Sequence, residues 1–177
     1  MKQNVSFIKK FSIFLFVGLI SATVYGQDVK WLSWNEAVEL TKTEKNPKKV
    51  FIDVYTDWCG WCKKMDKDTF QNPEVATYMA ANFYMVKMDG EGKEPIDYNG
   101  KTFKFIPSGR KGYHELAAAL MQGKLSYPTT IFLDEKMNML SPVPGYQKPD
   151  PFLNIARYFG DDIYLEKDWK TYSGQGK

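Results

Sequence analysis

From Ser33 onward the apolar positions of the chain fall into runs of two periods, and the two periods alternate. Ser33-Trp34-Asn35-Glu36 places a serine three positions before a glutamate, a capping box, and Ala37 and Leu40 continue an apolar face; this predicts a helix that stops before Asn46-Pro47. Lys49 to Tyr55 is β-branched and aromatic with little alternation, the pattern of a strand covered on both faces. From Gly60, Trp61, Met65 and Phe70 recur at helical spacing. A second helix follows, capped by Asn72 with Pro73 in its first turn and Val75, Tyr78 and Met79 on its buried stripe. Phe83 to Met88 is again a strand. Strand, helix, strand in that order requires a crossover, and hence an α/β sheet.

The texture changes between Gly90 and Gly112, where glycines are dense. Asn99-Gly100 favours a two-residue turn, and Phe103 and Phe105 alternate with Lys104, so one inserted hairpin is expected. We expect it near the rim of the site described below. Tyr113 to Gln122 predicts a helix with Leu116, Ala117, Leu120 and Met121 on one face; His114, the only histidine, falls at its start and reads as a surface or cap residue. Thr129 to Leu133 and Met139 to Val143 predict an antiparallel pair turned at Asp134-Glu135-Lys136, with Pro128 at the entry of the first strand. A last helix begins at Asp150-Pro151 and carries Phe152, Ile155, Ala156 and Phe159. Residues 161–177 form a polar extension with scattered aromatics, and its Ser173-Gly174-Gln175-Gly176 end should fray.

Residues 1–26 stand outside this pattern. Lys2, Lys9 and Lys10 precede an apolar run from Phe11, which gives way to Val24-Tyr25-Gly26; this is the layout of a secretory signal cut after Gly26. The run is shorter than the roughly 20 apolar residues a bilayer requires, so no membrane span is expected to remain. The formal net charge of +3 on the 177-residue chain equals those three lysines, so residues 27–177 are formally neutral. Nothing there reads as a nucleic-acid footprint. One domain, residues 27–160 with an insertion at 90–112, is expected, exported and periplasmic if the source is Gram-negative.

The only two cysteines, Cys59 and Cys62, stand three apart in Trp58-Cys59-Gly60-Trp61-Cys62, between the first strand and the helix. Structural zinc wants four ligands, and two cysteines with one distant histidine do not supply them. Haem attachment needs a histidine after the second cysteine, and that residue is Lys63. A stabilising disulfide closing so short a loop adds little entropy. A redox pair is the reading left, without metal or cofactor. Unpaired backbone N–H groups opening a helix favour a thiolate at Cys59, with Cys62 one turn behind it. Asp53 is a carboxylate inside an apolar strand, either a solvent-facing strand end or a functional acid. Trp58, Trp61 and Tyr127 are packing residues or the rim on which a polypeptide rests.

The stretch from Asp53 to Lys63, with Tyr127-Pro128-Thr129 before a later strand, resembles the thioredoxin superfamily, and most closely the exported domains akin to the C-terminal domain of the transmembrane thiol:disulfide interchange reductase. The resemblance covers about Trp31 to Phe159 and implies a thioredoxin fold, a mixed sheet flanked by helices. It also implies a thiol-disulfide oxidoreductase whose redox-active disulfide joins Cys59 and Cys62. Cys59 would attack a protein or peptide disulfide and Cys62 would resolve it, with Asp53 exchanging the proton. Pro128 would be cis, and Trp58, Trp61, Tyr127, Pro128 and Thr129 would meet the substrate. The reducing direction is implied, with a thiol electron donor; oxidase or isomerase activity and a redox-silent binding module are the alternatives. Trp61 stands where thioredoxin has proline, and the 90–112 segment has no counterpart in the minimal fold.

Overall fold

The backbone N–H and C=O groups of a strand buried away from water need partners on both edges, and β1 (Lys49–Tyr55) has them in the computed structural model, which describes residues 29–174. Strand β2 (Phe83–Asp89) runs parallel on one edge, and β7 (Thr129–Leu133) runs antiparallel on the other, continued by β8 (Met139–Pro144). The sheet order is β2-β1-β7-β8, a mixed sheet. Beyond β2, Leu32 adds a parallel bridge to Val86.

The period-two alternation of these strands sorts the core into two layers. Val50, Ile52 and Val54 of β1, with Val86, Met88, Ile131 and Leu133, face one way and are covered by α1 (Trp34–Thr43) and α4 (Glu115–Leu120). Phe51, Phe83 and Phe132 face the other way. They meet Phe70, Met79, Phe152 and Phe159 from the helices α2 (Gly60–Met65), α3 (Pro73–Asn82) and α5 (Pro149–Gly160) and the turn after α2. Ring centroids of Phe51 lie 5.3 to 5.7 Å from those of Phe132, Phe152 and Phe70, mostly edge to face, the geometry aromatic quadrupoles favour.

The capping signals act as expected. Ser33 and Glu36 form both halves of the box at the start of α1, and the Asn72 side chain accepts from the N–H groups of Glu74 and Val75. The helix from Gly60 is not uniform, because Asp66–Phe70 is wound as a π-helix directly after Met65. Such wider turns are rare and change which side chains face inward.

The inserted segment departs from expectation. It holds two hairpins, β3 (Ile96–Tyr98) with β4 (Lys101–Phe103), and β5 (Phe105–Ser108) with β6 (Lys111–His114). The run Phe103-Lys104-Phe105 reads as one strand, but Glu115 takes its middle residue. The Glu115 carboxylate accepts from Lys104 N–H and Glu115 N–H donates to the Lys104 carbonyl, each at 2.9 Å. Asn99 and Gly100 both have positive φ, as the two-residue turn demands.

Tyr113 and His114 pair with Ile106 and Phe105, so α4 starts at Glu115 and not at Tyr113. His114 is a cap, as expected, but not a surface one, being 1% exposed. Its Nδ1 accepts from Leu116 N–H, and Nε2 lies 3.1 Å from the Glu94 carbonyl.

The polar extension is built into the fold. A 3-10 turn at Ile163–Leu165 and α6 (Trp169–Tyr172) bring Tyr164, Trp169 and Tyr172 to within 6.4 Å, centroid to centroid, of Tyr158 on α5. The expected signal at residues 1–26 lies outside the described residues, as do Gln175 and Gly176 of the end expected to fray. Among the described residues no helix is long and apolar enough to cross a membrane.

Candidate active site

Parallel pairing with β2 and antiparallel pairing with β7 bring three polar side chains into one row. Asp53 of β1 is in register with Lys87 of β2 and with Thr130 of β7. Alternation puts Asp53 on the same face as Phe51, the face roofed by α2 and the π turn. Asp53 is 0% exposed, and its Oδ2 lies 2.8 Å from Lys87 Nζ. The same ammonium binds the carboxylate of Asp66, the first residue of the π turn. It also lies 4.5 Å from the Trp31 ring centroid and 5.2 Å from that of Tyr55.

Burial pushes the Asp53 carboxyl up to about 6, against the opposing pull of Lys87, while the negative charge of Asp66 adds to the rise. Two effects of opposite sign thus leave Asp53 as an acid that changes charge just below neutrality. Lys87 is the residue that sequence reasoning missed. Its signal was present as a lone lysine in the apolar run Phe83 to Met88, but only the strand register shows which carboxylate it faces.

The end of β1 delivers the chain to the cysteines. Cys59 N–H donates to the Thr56 carbonyl at 3.0 Å, which turns the chain. Cys59 is the N-cap of α2, its Sγ accepting from Cys62 N–H at 3.0 Å. The two sulfurs are joined as a disulfide, with Cα atoms 5.3 Å apart, and both residues are buried. Among the described residues no cluster of three or more metal-ligating side chains occurs. A disulfide within one helical turn, whose first sulfur already accepts a backbone N–H, can open to a thiolate at Cys59 and close again.

Two exposed indoles neighbour the cysteines in sequence, Trp58 just before Cys59 at 54% exposure and Trp61 between the pair at 58%. Trp58 meets Tyr127 edge to face at 5.9 Å, and Trp61 lies 5.4 Å from Tyr146. Tyr127 precedes Pro128 through a cis peptide bond. The Tyr127 ring covers Gly90, where a Cβ would come within 2.5 Å of it. Thr129 is buried, with its hydroxyl donated to the Ser126 carbonyl at 2.8 Å, so this side chain is engaged within the chain.

The inserted hairpins part company here. The β5–β6 hairpin reaches the rim, with Lys111 Nζ 3.8 Å from the Trp58 ring centroid. The β3–β4 hairpin does not. Tyr98 packs on Trp34 and donates to the Met137 carbonyl, beyond the end of β7 remote from Pro128. Asn99-Gly100 therefore belongs to the layer opposite α2, against the expectation that this turn approaches the rim.

A family model described as "Thioredox_DsbH: Protein of unknown function, DUF255" matches residues 21–147. Spermatogenesis-associated protein 20 of Homo sapiens is 31% identical over 85 residues, 48% of this chain and 11% of that protein. Disulfide bond reductase DsbH of Chlamydia pneumoniae is 32% identical over 62 residues, 35% of this chain and 37% of that protein. The chain thus spans about a tenth to a third of the length of these relatives. A thioredoxin-fold protein from Helicobacter pylori superposes with a TM-score of 0.56 at 19% identity, covering 84% of each chain, which shows the shared fold. With its mixed sheet, its cysteine pair opening α2 and this match over most of its length, the chain belongs to the Thioredox_DsbH family of the thioredoxin superfamily.

Proposed function

We propose that the protein is an exported thiol-disulfide oxidoreductase that reduces protein or peptide disulfides. The observation that carries this reading is the Cys59–Cys62 disulfide at the N-cap of α2, on the sheet face that buries Asp53. In the reduced form Cys59, as thiolate, attacks one sulfur of a substrate disulfide. A mixed disulfide forms and the other substrate sulfur leaves as a thiolate, which takes a proton from solvent. Cys62 then gives its proton to the Asp53 carboxylate and attacks Cys59 Sγ, which breaks the mixed disulfide, expels the second substrate sulfur as a thiolate that is protonated from Asp53 or solvent, and closes the Cys59–Cys62 disulfide. Two electrons pass from the pair to the substrate, and a dithiol donor restores the pair.

Asp53 suits the proton step because a carboxyl near 6 is mostly ionised at neutral pH and still close enough in affinity to accept a thiol proton. The cis bond at Pro128 and the exposed indoles beside the cysteines offer an extended polypeptide backbone and apolar contacts. Similarity to the disulfide bond reductase DsbH of Chlamydia pneumoniae favours the reducing direction. Export rests on the leader-like pattern of residues 1–26, with a periplasmic destination in a Gram-negative source.

The test is Cys62→Ser, which leaves the attacking thiol without its resolving partner. Mixed disulfides on a non-reducing gel, together with accelerated reduction of a disulfide substrate by the wild type, are expected. If neither appears, the chain is a redox-silent binding module. Equilibration with glutathione buffers then gives the direction, and a potential as oxidising as that of a disulfide oxidase, about −120 mV, rules out the reductase reading.

A further inference from the structure

The rim of the disulfide has two aromatic walls, and their charges differ. On the Trp61 side the ring of Tyr146 carries Lys64, but that ammonium is neutralised by Asp68 at 2.5 Å, to which the Tyr146 hydroxyl also donates. On the Trp58 side Lys111 lies over the indole at 3.8 Å, and among the described residues no carboxylate lies within 4.0 Å of Lys111 or of Arg110 beside it. Lys63, exposed in the first turn of α2, is likewise without a carboxylate partner among the described residues. Asp57, Asp89 and Glu91 also lie in this region, near Tyr55 and Tyr127, but none of them forms an ion pair with Lys111 within 4.0 Å.

The placement of Lys111 is built in. Gly112 beside it is packed under Phe105, where a Cβ would come 2.2 Å from the ring and 2.5 Å from the Ile106 carbonyl oxygen. The base of the hairpin is tied to the end of β1, since His114 N–H donates to the Gly90 carbonyl and Gly90 N–H to the Tyr55 carbonyl. Lys111 is exposed, so its ammonium keeps solvent contact while it lies on the indole face and can meet a second partner.

Resting on the oxidoreductase reading, we infer that the β5–β6 hairpin is a substrate-selecting arm. Lys111, held on Trp58 one residue before the attacking cysteine, recognises an acidic side chain next to the disulfide being reduced. The substrate class is then a polypeptide disulfide flanked by aspartate or glutamate. The ion pair forms as Cys59 engages the substrate sulfur and takes no part in the bond exchange.

The test uses three cyclic peptides, each closed by one disulfide and alike except for the residues flanking the cysteines, which are glutamate, glutamine or lysine. The pre-reduced protein is mixed with each in a single turnover, and the glutamine peptide is the reference for every variant, so that a general loss of activity cancels. Wild type is expected to react about fivefold faster with the glutamate peptide than with the lysine peptide at low salt, as one exposed ion pair gained or opposed allows. The preference should collapse in 0.5 M salt, about where screening reaches contact distance. Lys111→Gln should remove most of it and Lys111→Glu should reverse it. Equal rates on all three peptides in the wild type, or a preference that survives Lys111→Glu, overturn the arm alone. A wild type that reduces none of them, the glutamine peptide included, overturns the oxidoreductase reading beneath it.

Discussion

Lys87 Nζ stands 2.8 Å from Asp53 Oδ2 while also holding Asp66, so one ammonium links a fully buried carboxylate to a half-exposed one. The pair couples the stability of the fold to pH. Burial raises the Asp53 carboxyl to about 6 from an ordinary value of 3.8. Between those two values the folded chain holds a proton that the unfolded chain has already lost, so raising the pH favours unfolding. The stabilisation is complete below the lower value and gone above the upper one. Asp53→Asn removes the charge that must be buried, and at pH 8 should stabilise the oxidised protein by about 3 kcal/mol. Urea unfolding at pH 4, 6 and 8 measures this; equal pH dependence in the two proteins would show that Asp53 is not the group responsible.

The two charges around Asp53 push in opposite directions, and activity should follow them. Lys87→Met removes the cation that opposes burial, so the Asp53 carboxyl rises further and less of it is a base at pH 7. Resolution of the mixed disulfide should slow about tenfold there, with the midpoint of its pH profile displaced to higher pH. Asp66→Asn removes a repelling charge and should displace the midpoint to lower pH. Stopped-flow rates from pH 5 to 9 check both, and two displacements of the same sign would contradict this account.

His114 joins the base of the insertion to α4 with both ring nitrogens. His114→Ala loses the cap on Leu116 N–H and the partner of the Glu94 carbonyl, and should destabilise by about 2 kcal/mol. Asn at this position restores a capping oxygen and should recover part of the loss. Denaturant midpoints for the three proteins decide it.

Gly90 lies under the Tyr127 ring closely enough that any Cβ must move it. Gly90→Ala should cost about 1 to 3 kcal/mol by overpacking, and displacing Tyr127 disturbs its contact with Trp58. In a Tyr127→Ala background the same change should cost less than half as much, because the clashing ring is gone. A double-mutant cycle on unfolding free energies reads this coupling directly. Additive effects would place the cause elsewhere.

The local grammar of the chain made much of this legible. The capping box at Ser33, the cap at Asn72, the buried run of β1 and the order strand, helix, strand are short-range features, and they specify elements and fold class whatever lies beyond. The cysteine pair was legible for the same reason, since its position between strand and helix is a matter of neighbouring residues. Helix and strand boundaries near the insertion were not, because Glu115 reaches 11 positions back to Lys104 and converts one apparent strand into the ends of two.

What the sequence by itself determined is therefore the set of elements, the α/β architecture and the place of Cys59 and Cys62 at the start of α2. Only the tertiary structure decided that Asp53 is sealed from water with Lys87 as its partner, that His114 is buried, and that Lys111 rests on Trp58. The physical reason is register. Alternation along a strand says which residues share a face, but the pairing of β1 with β2 and β7 chooses which of them meet. That choice is made by packing across the whole sheet, and it converts a solitary acid and a solitary lysine, more than thirty residues apart, into one ion pair on the sheet face that α2 covers.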